Sequence, residues 1–165
     1  MSKKSCWILS DNLIGHEKQS ISLAEKLNFN YKIIKIEKLN FIEKHLLIFI
    51  NIKKTKLLKA PFPKFIISCG KNTAYYSKLI KKRLKKRIFS IFIQTPPINI
   101  KNFDVVIAPK HDNCKGSNII ETNGALTKIN LKYIKSVNKT KIPDVLKENF
   151  ITVLIGGNSR HHKIT

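Results

Sequence analysis

The segment SCWILSDNLIGHEKQSISLAEKLN, residues 5–28, decides the fold of this chain. Its apolar run at 5–10 predicts a strand, its polar stretch at 11–15 predicts a turn, and its apolar stripe at 16–28 predicts a helix. Another apolar run, at 31–36, follows directly. Strand, helix and strand in this order are typical of a βαβ unit. We therefore expect an α/β fold with a Rossmann-like parallel sheet.

The same alternation of strands and helices continues along the chain. Further strands are predicted at 64–69, 88–94, 103–108 and 118–122, and further helices at 41–52 and 73–86. Residues 127–149 are polar and lysine-rich, which predicts a linker. A new apolar strand at 150–155 is followed by a glycine turn just before the sequence stops. We therefore expect one Rossmann-like domain at 1–126 and the start of a truncated second one at 150–165.

The charge of the chain is strongly positive. Lys and Arg total 32 against 10 Asp and Glu, a formal net charge of +22, and all but three of the 32 are Lys. A specific nucleic-acid site would need arginine forks or aromatic side chains among the basic ones, and we expect none. The densest basic run, 78–87, has apolar residues at helical spacing, which predicts an amphipathic helix with a solvated cationic face. The alternative is that 41–59 and 78–86 contact an anionic membrane surface.

The cysteines and the apolar segments indicate where in the cell the protein is located. The three cysteines have no C-x-x-C spacing, so neither a disulfide framework nor a zinc site is expected. The apolar stretch after Lys4 is too short for a signal peptide, and the longest apolar segment, 46–52, falls far short of the ~20 residues that a membrane span needs. We expect a cytoplasmic protein, with peripheral attachment to the inner face of the membrane as the alternative.

The loop after the first strand carries the clearest candidate chemistry. In open parallel sheets, ligands bind at the carboxyl ends of the strands, where this chain has Asp11, Gly15 and His16. Gly15 allows a tight turn, and His16 falls at a helix start, where free N–H groups favour an anion. His16 is the candidate general base, and Asp11 and Gly15 are candidate substrate-binding residues. The alternative is that His16 or Asp11 only caps the helix.

The loops after the later strands supply further candidates for substrate binding. The stretch SCGKNT at 68–73 offers a glycine turn but lacks the spacing of a phosphate loop, so a helix cap is the alternative. Neighbouring side chains at 111 and 112 are expected to point to opposite faces of an extended segment. No spacing of metal ligands surrounds them, so no metal site is expected. The candidate substrate-binding residues of these loops are Gly70, Thr73, Gln94, His111, Asp112, Asn123 and Gly124.

Several of these segments resemble, in order, the motifs of one family. The segments are WILSD at 7–11, SCGKNTA at 68–74, QTP at 94–96, FDVVIAPKHD at 103–112, TNGAL at 122–126 and LIGGNS at 154–159. They resemble the mitochondrial-fission "elongated mitochondria" family, whose bacterial members are often labelled predicted nucleoside-diphosphate-sugar enzymes. The lysine-rich sequence looks more like the bacterial members than the plant ones.

The resemblance implies a two-domain fold like that of the GT-B glycosyltransferases. In such enzymes the amino-terminal domain takes the acceptor and the carboxy-terminal domain takes the nucleotide sugar, here through Gly156, Gly157, Asn158 and Ser159. The implied function is transfer of a sugar from a nucleoside diphosphate to a cell-envelope acceptor, with no cofactor. Because the donor site needs the second domain, this chain alone is expected to be inactive. The alternative is a non-catalytic, membrane-associated adaptor or scaffold related to the fission factor.

Overall fold

The computed structural model describes residues 4–40, 61–84, 88–129 and 131–136, together with residues 151 and 153. The chain divides into two compact units, Met1–Lys128 and Ile129–Thr165. The predicted helix at 41–52, most of the predicted strand at 150–155 and the glycine turn at 156–159 lie outside the described residues. The linker and the second domain therefore stay predictions.

The first unit is built on a sheet of six parallel strands. The strands are β1 (Ser5–Ser10), β2 (Asn30–Lys35), β3 (Phe65–Cys69), β4 (Phe89–Ile93), β5 (Val105–Pro109) and β6 (Ile119–Thr122). Their order across the sheet is β2-β1-β3-β4-β5-β6. This arrangement confirms the expected α/β fold with a Rossmann-like parallel sheet.

Two helices flank the sheet, α1 (Ile14–Lys26) and α2 (Lys71–Leu84). Each begins two residues before its predicted start. The left-handed residues Asn12 and Gly70 end the preceding loops early, so the helices start at Ile14 and Lys71. Two short 3₁₀ helices, Ile100–Asn102 and Lys110–Asp112, precede and follow β5. The second unit contributes α3 (Leu131–Ser136), which falls within the predicted linker.

The core lies on both faces of the sheet, as a parallel sheet with helices on both sides requires. Alternate residues of a strand point to opposite faces, and β1 follows this rule. Cys6 and Ile8 pack in one cluster with Ala24 of α1, whereas Trp7 and Leu9 pack in another with residues of α2. The sheet is therefore covered by α1 on one face and by α2 on the other.

The apolar residues of the basic run in α2 are buried in the protein core. Leu79 and Ile80 are 6% and 2% exposed, and both belong to core clusters. Lys82 and Arg83 lie on the exposed side of the helix. As far as Leu84, where the description of this helix ends, the run is thus amphipathic with a solvated cationic face. Within the described part of the chain, no helix is long and apolar enough to cross a bilayer.

Asp104 ties α2 to the sheet at the amino-terminal ends of β4 and β5. Its Oδ2 accepts from the Ser90 backbone N–H at 2.8 Å and from Ser90 Oγ at 2.9 Å. Its Oδ1 lies 2.8 Å from Lys81 Nζ. Partial burial raises the pKa of Asp104, but the hydrogen bonds from Lys81 and Ser90 outweigh it, so the pKa is lowered overall.

An Asp104→Asn change is expected to lower the free energy of unfolding by about 1–2 kcal/mol at pH 7, because charge-assisted hydrogen bonds are lost. Since the folded-state pKa lies below the unfolded value of about 3.9, the carboxylate stabilises above that pH and loses its effect as the pH falls through the folded pKa. Urea unfolding should therefore show the gap between the two proteins narrowing in acid.

Glu121→Gln, which breaks the exposed 2.6 Å pair with Lys115, serves as the control. It should leave stability almost unchanged, since exposed pairs contribute little. An Asp104→Asn effect that stays constant with pH would contradict the electrostatic explanation.

Candidate functional site

The strand order puts a topological switch point between β1 and β3. The chain leaves β1 toward β2 on one side, and the later strands build the sheet outward on the other side. In open parallel sheets this reversal marks the topological switch point, where the loops after the two strands separate and leave room for a ligand. The loops concerned are those that carry Asp11 and Gly70. The carboxyl-terminal edge between them is the candidate functional site.

Asp11 and His16 form a hydrogen-bonded pair at this edge. His16 Nδ1 lies 3.0 Å from Asp11 Oδ2 and 3.2 Å from Oδ1. A carboxylate only accepts hydrogen bonds, so Nδ1 donates, and in a neutral imidazole Nε2 then carries the lone pair. The Asp11 side chain is 7% exposed and that of His16 is 24% exposed. Among the described residues none hydrogen-bonds to Nε2, which leaves this atom free to accept a proton from a ligand.

The capping alternative does not describe His16. The N-cap of α1 is Leu13, which provides no side-chain cap. Asp11 Oδ1 accepts from the Leu13 backbone N–H at 3.3 Å, one residue before the helix. Asp11 thus hydrogen-bonds both the backbone just before α1 and the imidazole of His16.

Gly70 makes room for this pair. Its φ is +97°, a conformation that favours glycine. A Cβ at this position would lie 2.5 Å from Asp11 Oδ2 and 2.8 Å from His16 Cε1, and it would also meet His16 Nδ1. Glycine is therefore required here for its backbone and for space. The structure brings three predicted site residues together from two distant loops.

Thr73 lies beneath the glycine turn. Its side chain is fully buried, and its hydroxyl donates to the Gly70 carbonyl at 2.7 Å. It fixes the turn that passes beside Asp11 and His16.

Ser10 and Glu17 are not among the predicted site residues, yet they support the pair. Ser10 Oγ donates to Glu17 Oε2 at 2.6 Å and accepts from the Asn12 backbone N–H at 3.1 Å. These bonds fix the loop around Asp11 and the first turn of α1. In the sequence, the only signal for their role is weak: Glu17 is an acidic residue in the first turn of a helix.

A second group of polar side chains lies after β4 and β5. Thr95 Oγ1 donates to Asp112 Oδ2 at 2.9 Å, and His111 Nε2 lies 3.5 Å from Asp112 Oδ1. The expectation that residues 111 and 112 point to opposite faces of an extended segment is wrong, because they belong to a 3₁₀ helix. Gln94, at the end of β4, has a left-handed φ of +78°. A bulky residue in this conformation indicates backbone strain, which clusters at functional sites.

The two groups lie apart along the edge. Strands β1 and β5 are separated by β3 and β4, which corresponds to about 14 Å at ~4.8 Å per strand. Asn123 and Gly124 follow β6, one strand further out, where Thr122 Oγ1 donates to the Gly124 carbonyl at 2.8 Å. A Cβ at Gly124 would meet no atom within 4 Å. The hydrogen bond at Gly124 is that of a turn.

Comparison with known proteins identifies the chain. Residues 14–165 match the profile of a family described as Mitochondrial fission ELM1. The chain belongs to this family. It is 31% identical, over a 197-residue alignment, to the "Uncharacterized protein RP120" of Rickettsia prowazekii, an alignment that covers 93% of this chain and 54% of that protein. It is 34% identical over 50 residues to the "Mitochondrial fission protein ELM1" of Arabidopsis thaliana, which covers 30% of this chain and 12% of that protein.

This ELM1-family chain thus spans about half the length of its Rickettsia relative. No solved structure matches it. The Arabidopsis match is shorter still, and the fission activity in its name belongs to a protein of which this chain covers 12%.

The cysteine beside the site is not a nucleophile. Burial, with a smaller effect from the Asp11 carboxylate, raises the pKa of Cys69 to about 12. Burial likewise raises the pKa of Cys6, on β1, to about 12. Both side chains remain thiols near neutral pH, whereas nucleophilic attack needs the thiolate.

Gly15 does not form the turn that the sequence suggested. It is the second residue of α1, and Asn12 takes the left-handed conformation instead, with a φ of +65°. Asn tolerates this conformation better than most residues. A Cβ at Gly15 would meet no atom within 4 Å, so this part of the helix start is open.

A Gly15→Ala change separates stability from function. Alanine favours a helix by up to about 1 kcal/mol over glycine, so the free energy of unfolding should rise. If the open space receives substrate, the same methyl group should weaken substrate binding and raise KM. Urea unfolding and steady-state kinetics, both on a chain extended to the full length of its relatives, measure the two effects. A stabilised protein with unchanged KM would exclude Gly15 from the substrate-binding surface.

Proposed function

We propose that this chain is the acceptor-binding half of a GT-B-type glycosyltransferase, which transfers a sugar from a nucleoside diphosphate donor to a cell-envelope acceptor. The observation that carries the proposal is the Asp11–His16 pair at the topological switch point, where the His16 side chain is 24% exposed and Nε2 has no hydrogen-bond partner among the described residues. Sugar transfer needs a base that removes a proton from the acceptor hydroxyl, and a histidine oriented by a carboxylate suits that task.

The proposed reaction consists of one proton transfer, one bond formed and one bond broken. His16 Nε2 takes the proton of the acceptor hydroxyl as its oxygen attacks the anomeric carbon of the sugar. The bond from that carbon to the nucleoside diphosphate breaks, and the diphosphate leaves with the electron pair. Asp11 keeps its hydrogen bond to Nδ1 and stabilises the imidazolium that forms.

Gly70 and Thr73 keep the second loop clear of the His16 ring, whereas Gln94, His111 and Asp112 bind more distant parts of the acceptor. The donor site is assigned to the second domain. There, glycines at 156 and 157 would let the backbone approach the diphosphate, and Asn158 and Ser159 would add side-chain donors. These residues lie outside the described part of the chain.

The proposal is tested with a chain extended to the full length of its relatives. It is incubated with a panel of nucleotide sugars, with and without lipid extract as acceptor, and release of nucleoside diphosphate is measured. One sugar should be turned over, and faster with the acceptor. A folded protein that leaves the whole panel intact would favour the alternative, a non-catalytic adaptor, which the fission name of the Arabidopsis relative supports.

We also propose that the protein binds peripherally to anionic membranes, in the cytoplasm, on their inner face. Its net charge of +22 supports this proposal. The exposed cations of α2 can contribute to the attraction, but the apolar residues Leu79 and Ile80 are in the core. An apolar contact with lipid must therefore come from another surface.

A further inference from the structure

A cavity of about 690 Å³ opens at the amino-terminal edge of the sheet, opposite the candidate functional site. Its walls include Phe65 and Phe89, the first residues of β3 and β4, and the adjacent Ile88. Lys4 and Lys64, each the residue before a strand, lie at its rim. We call this feature the amino-edge cavity. Nothing in the proposed sugar transfer uses it.

The charges around the amino-edge cavity are unbalanced. Three lysines and one carboxylate line it, but Lys81 Nζ already lies 2.8 Å from Asp104 Oδ1. Among the described residues, neither Lys4 nor Lys64 has a carboxylate partner. Lys4 Nζ lies 5.6 Å from the centre of the Phe65 ring, a cation–π contact that holds it at the rim. The cavity therefore complements an anion with up to two negative charges.

The aromatic walls favour an aliphatic group over a planar base. Phe29 stacks on Phe65 with ring centres 4.5 Å apart, and Lys4 lies over the same ring. A base could stack on Phe65 only by displacing one of these partners. Phe89 is tilted by 53° to Phe65 and is 42% exposed, so it presents an apolar surface to solvent. Aliphatic chains need such a surface but no flat stacking face.

We infer that the amino-edge cavity takes the headgroup of an anionic phospholipid. Lys4 and Lys64 hold the phosphate, and Phe89 contacts the glycerol and the first carbons of the acyl chains. Lysine suits this role as a point charge for phosphate, and exposed apolar side chains beside lysines are typical of interfacial membrane binding. The inference rests on the proposed membrane association and is independent of sugar transfer.

The test measures co-sedimentation of the full chain with lipid vesicles. One set of vesicles is phosphatidylcholine alone, and the other contains roughly one third phosphatidylglycerol. The unchanged protein should bind only the second set. Since each lysine near an anionic surface strengthens binding about fivefold, Lys4→Ser with Lys64→Ser should weaken it about 30-fold.

The matched control removes Lys18 and Lys110 instead, which are exposed and follow β1 and β5 at the carboxyl-terminal edge. Strands of five or six residues put that edge ~17 Å or more away from the amino-terminal edge, beyond the ~8–10 Å Debye length. The control should change binding by less than about threefold. Phe89→Ser should weaken binding about tenfold, and Phe89→Leu should retain it because the apolar contact remains. Circular dichroism confirms that each variant is folded.

The outcomes separate the inference from the proposal on which it rests. If the control and the Lys4/Lys64 variant lose binding equally, the membrane association stands but the amino-edge cavity is not its site. If the unchanged protein binds neither set of vesicles, both are overturned. If the Lys4/Lys64 variant loses binding to a single-stranded oligonucleotide but not to vesicles, the cavity is a nucleic-acid site and the lipid inference is wrong.

Discussion

Replacing His16 by alanine is expected to lower the turnover of sugar transfer about 100-fold or more, with little change in the free energy of unfolding. The imidazole is partly exposed and contributes little to the core, so its loss removes the base without unfolding the protein. Turnover in a chain of the relatives' full length and urea unfolding measure the two effects. The loss should appear in kcat more than in KM, because proton transfer occurs in the transition state.

Two variants make this test sharper. Lys18→Ala, two residues along the same exposed helix start, should leave turnover near normal. Asp11→Asn keeps the size of the side chain but changes the group facing Nδ1, so it should favour the wrong tautomer of His16 and lower kcat as well. Near-normal turnover of the His16→Ala protein would remove His16 from the chemistry and leave Asp11 as a structural residue of the loop.

Replacing Gly70 by alanine is expected to lower both stability and turnover. The positive φ of Gly70 and the closeness of Asp11 Oδ2 to the new Cβ should together cost about 1–3 kcal/mol of stability. The methyl group would also push the His16 ring away from its hydrogen bond, so turnover should fall toward that of the His16→Ala protein. Urea unfolding and kcat measure these losses.

A double mutant isolates the contribution of the clash with the His16 ring. With His16→Ala already present, Gly70→Ala should cost less stability, because the ring it would strike is gone. It should also lower turnover no further. Equal costs in both backgrounds would show that the His16 ring adds nothing to the cost, which would then come from the backbone conformation of Gly70 and its contact with Asp11 Oδ2.

Much of the fold follows from local patterns in the sequence. The inner strands β1, β3, β4 and β5 are largely apolar runs, because a parallel sheet buries both of its faces. Their pattern and that of the edge strands predict β1 to β6 to within two residues. The rule that ligands bind at the carboxyl ends of strands led to Asp11, His16 and Gly70 as separate candidates.

The contacts between distant loops could not be predicted in the same way. Gly70 lies 54 residues after His16 in the chain, and only the pairing of β1 with β3 brings their loops together. The sequence favours Gly15 for the turn because glycine is the commoner residue at positive φ, but Asn12 takes that conformation. The 3₁₀ helix after β5 brought His111 and Asp112 together against the expectation for an extended segment.

The strand order also has a consequence for solubility. Among the described strands, β2 and β6 lie at the two ends of the sheet, where backbone groups are open to pairing with another chain. β2 carries Lys32 and Lys35 in exposed positions, and β6 has four residues, one of which is the exposed Glu121. Charged and short edge strands oppose edge-to-edge aggregation. Part of the lysine excess therefore protects the folded chain from adding strands of its neighbours.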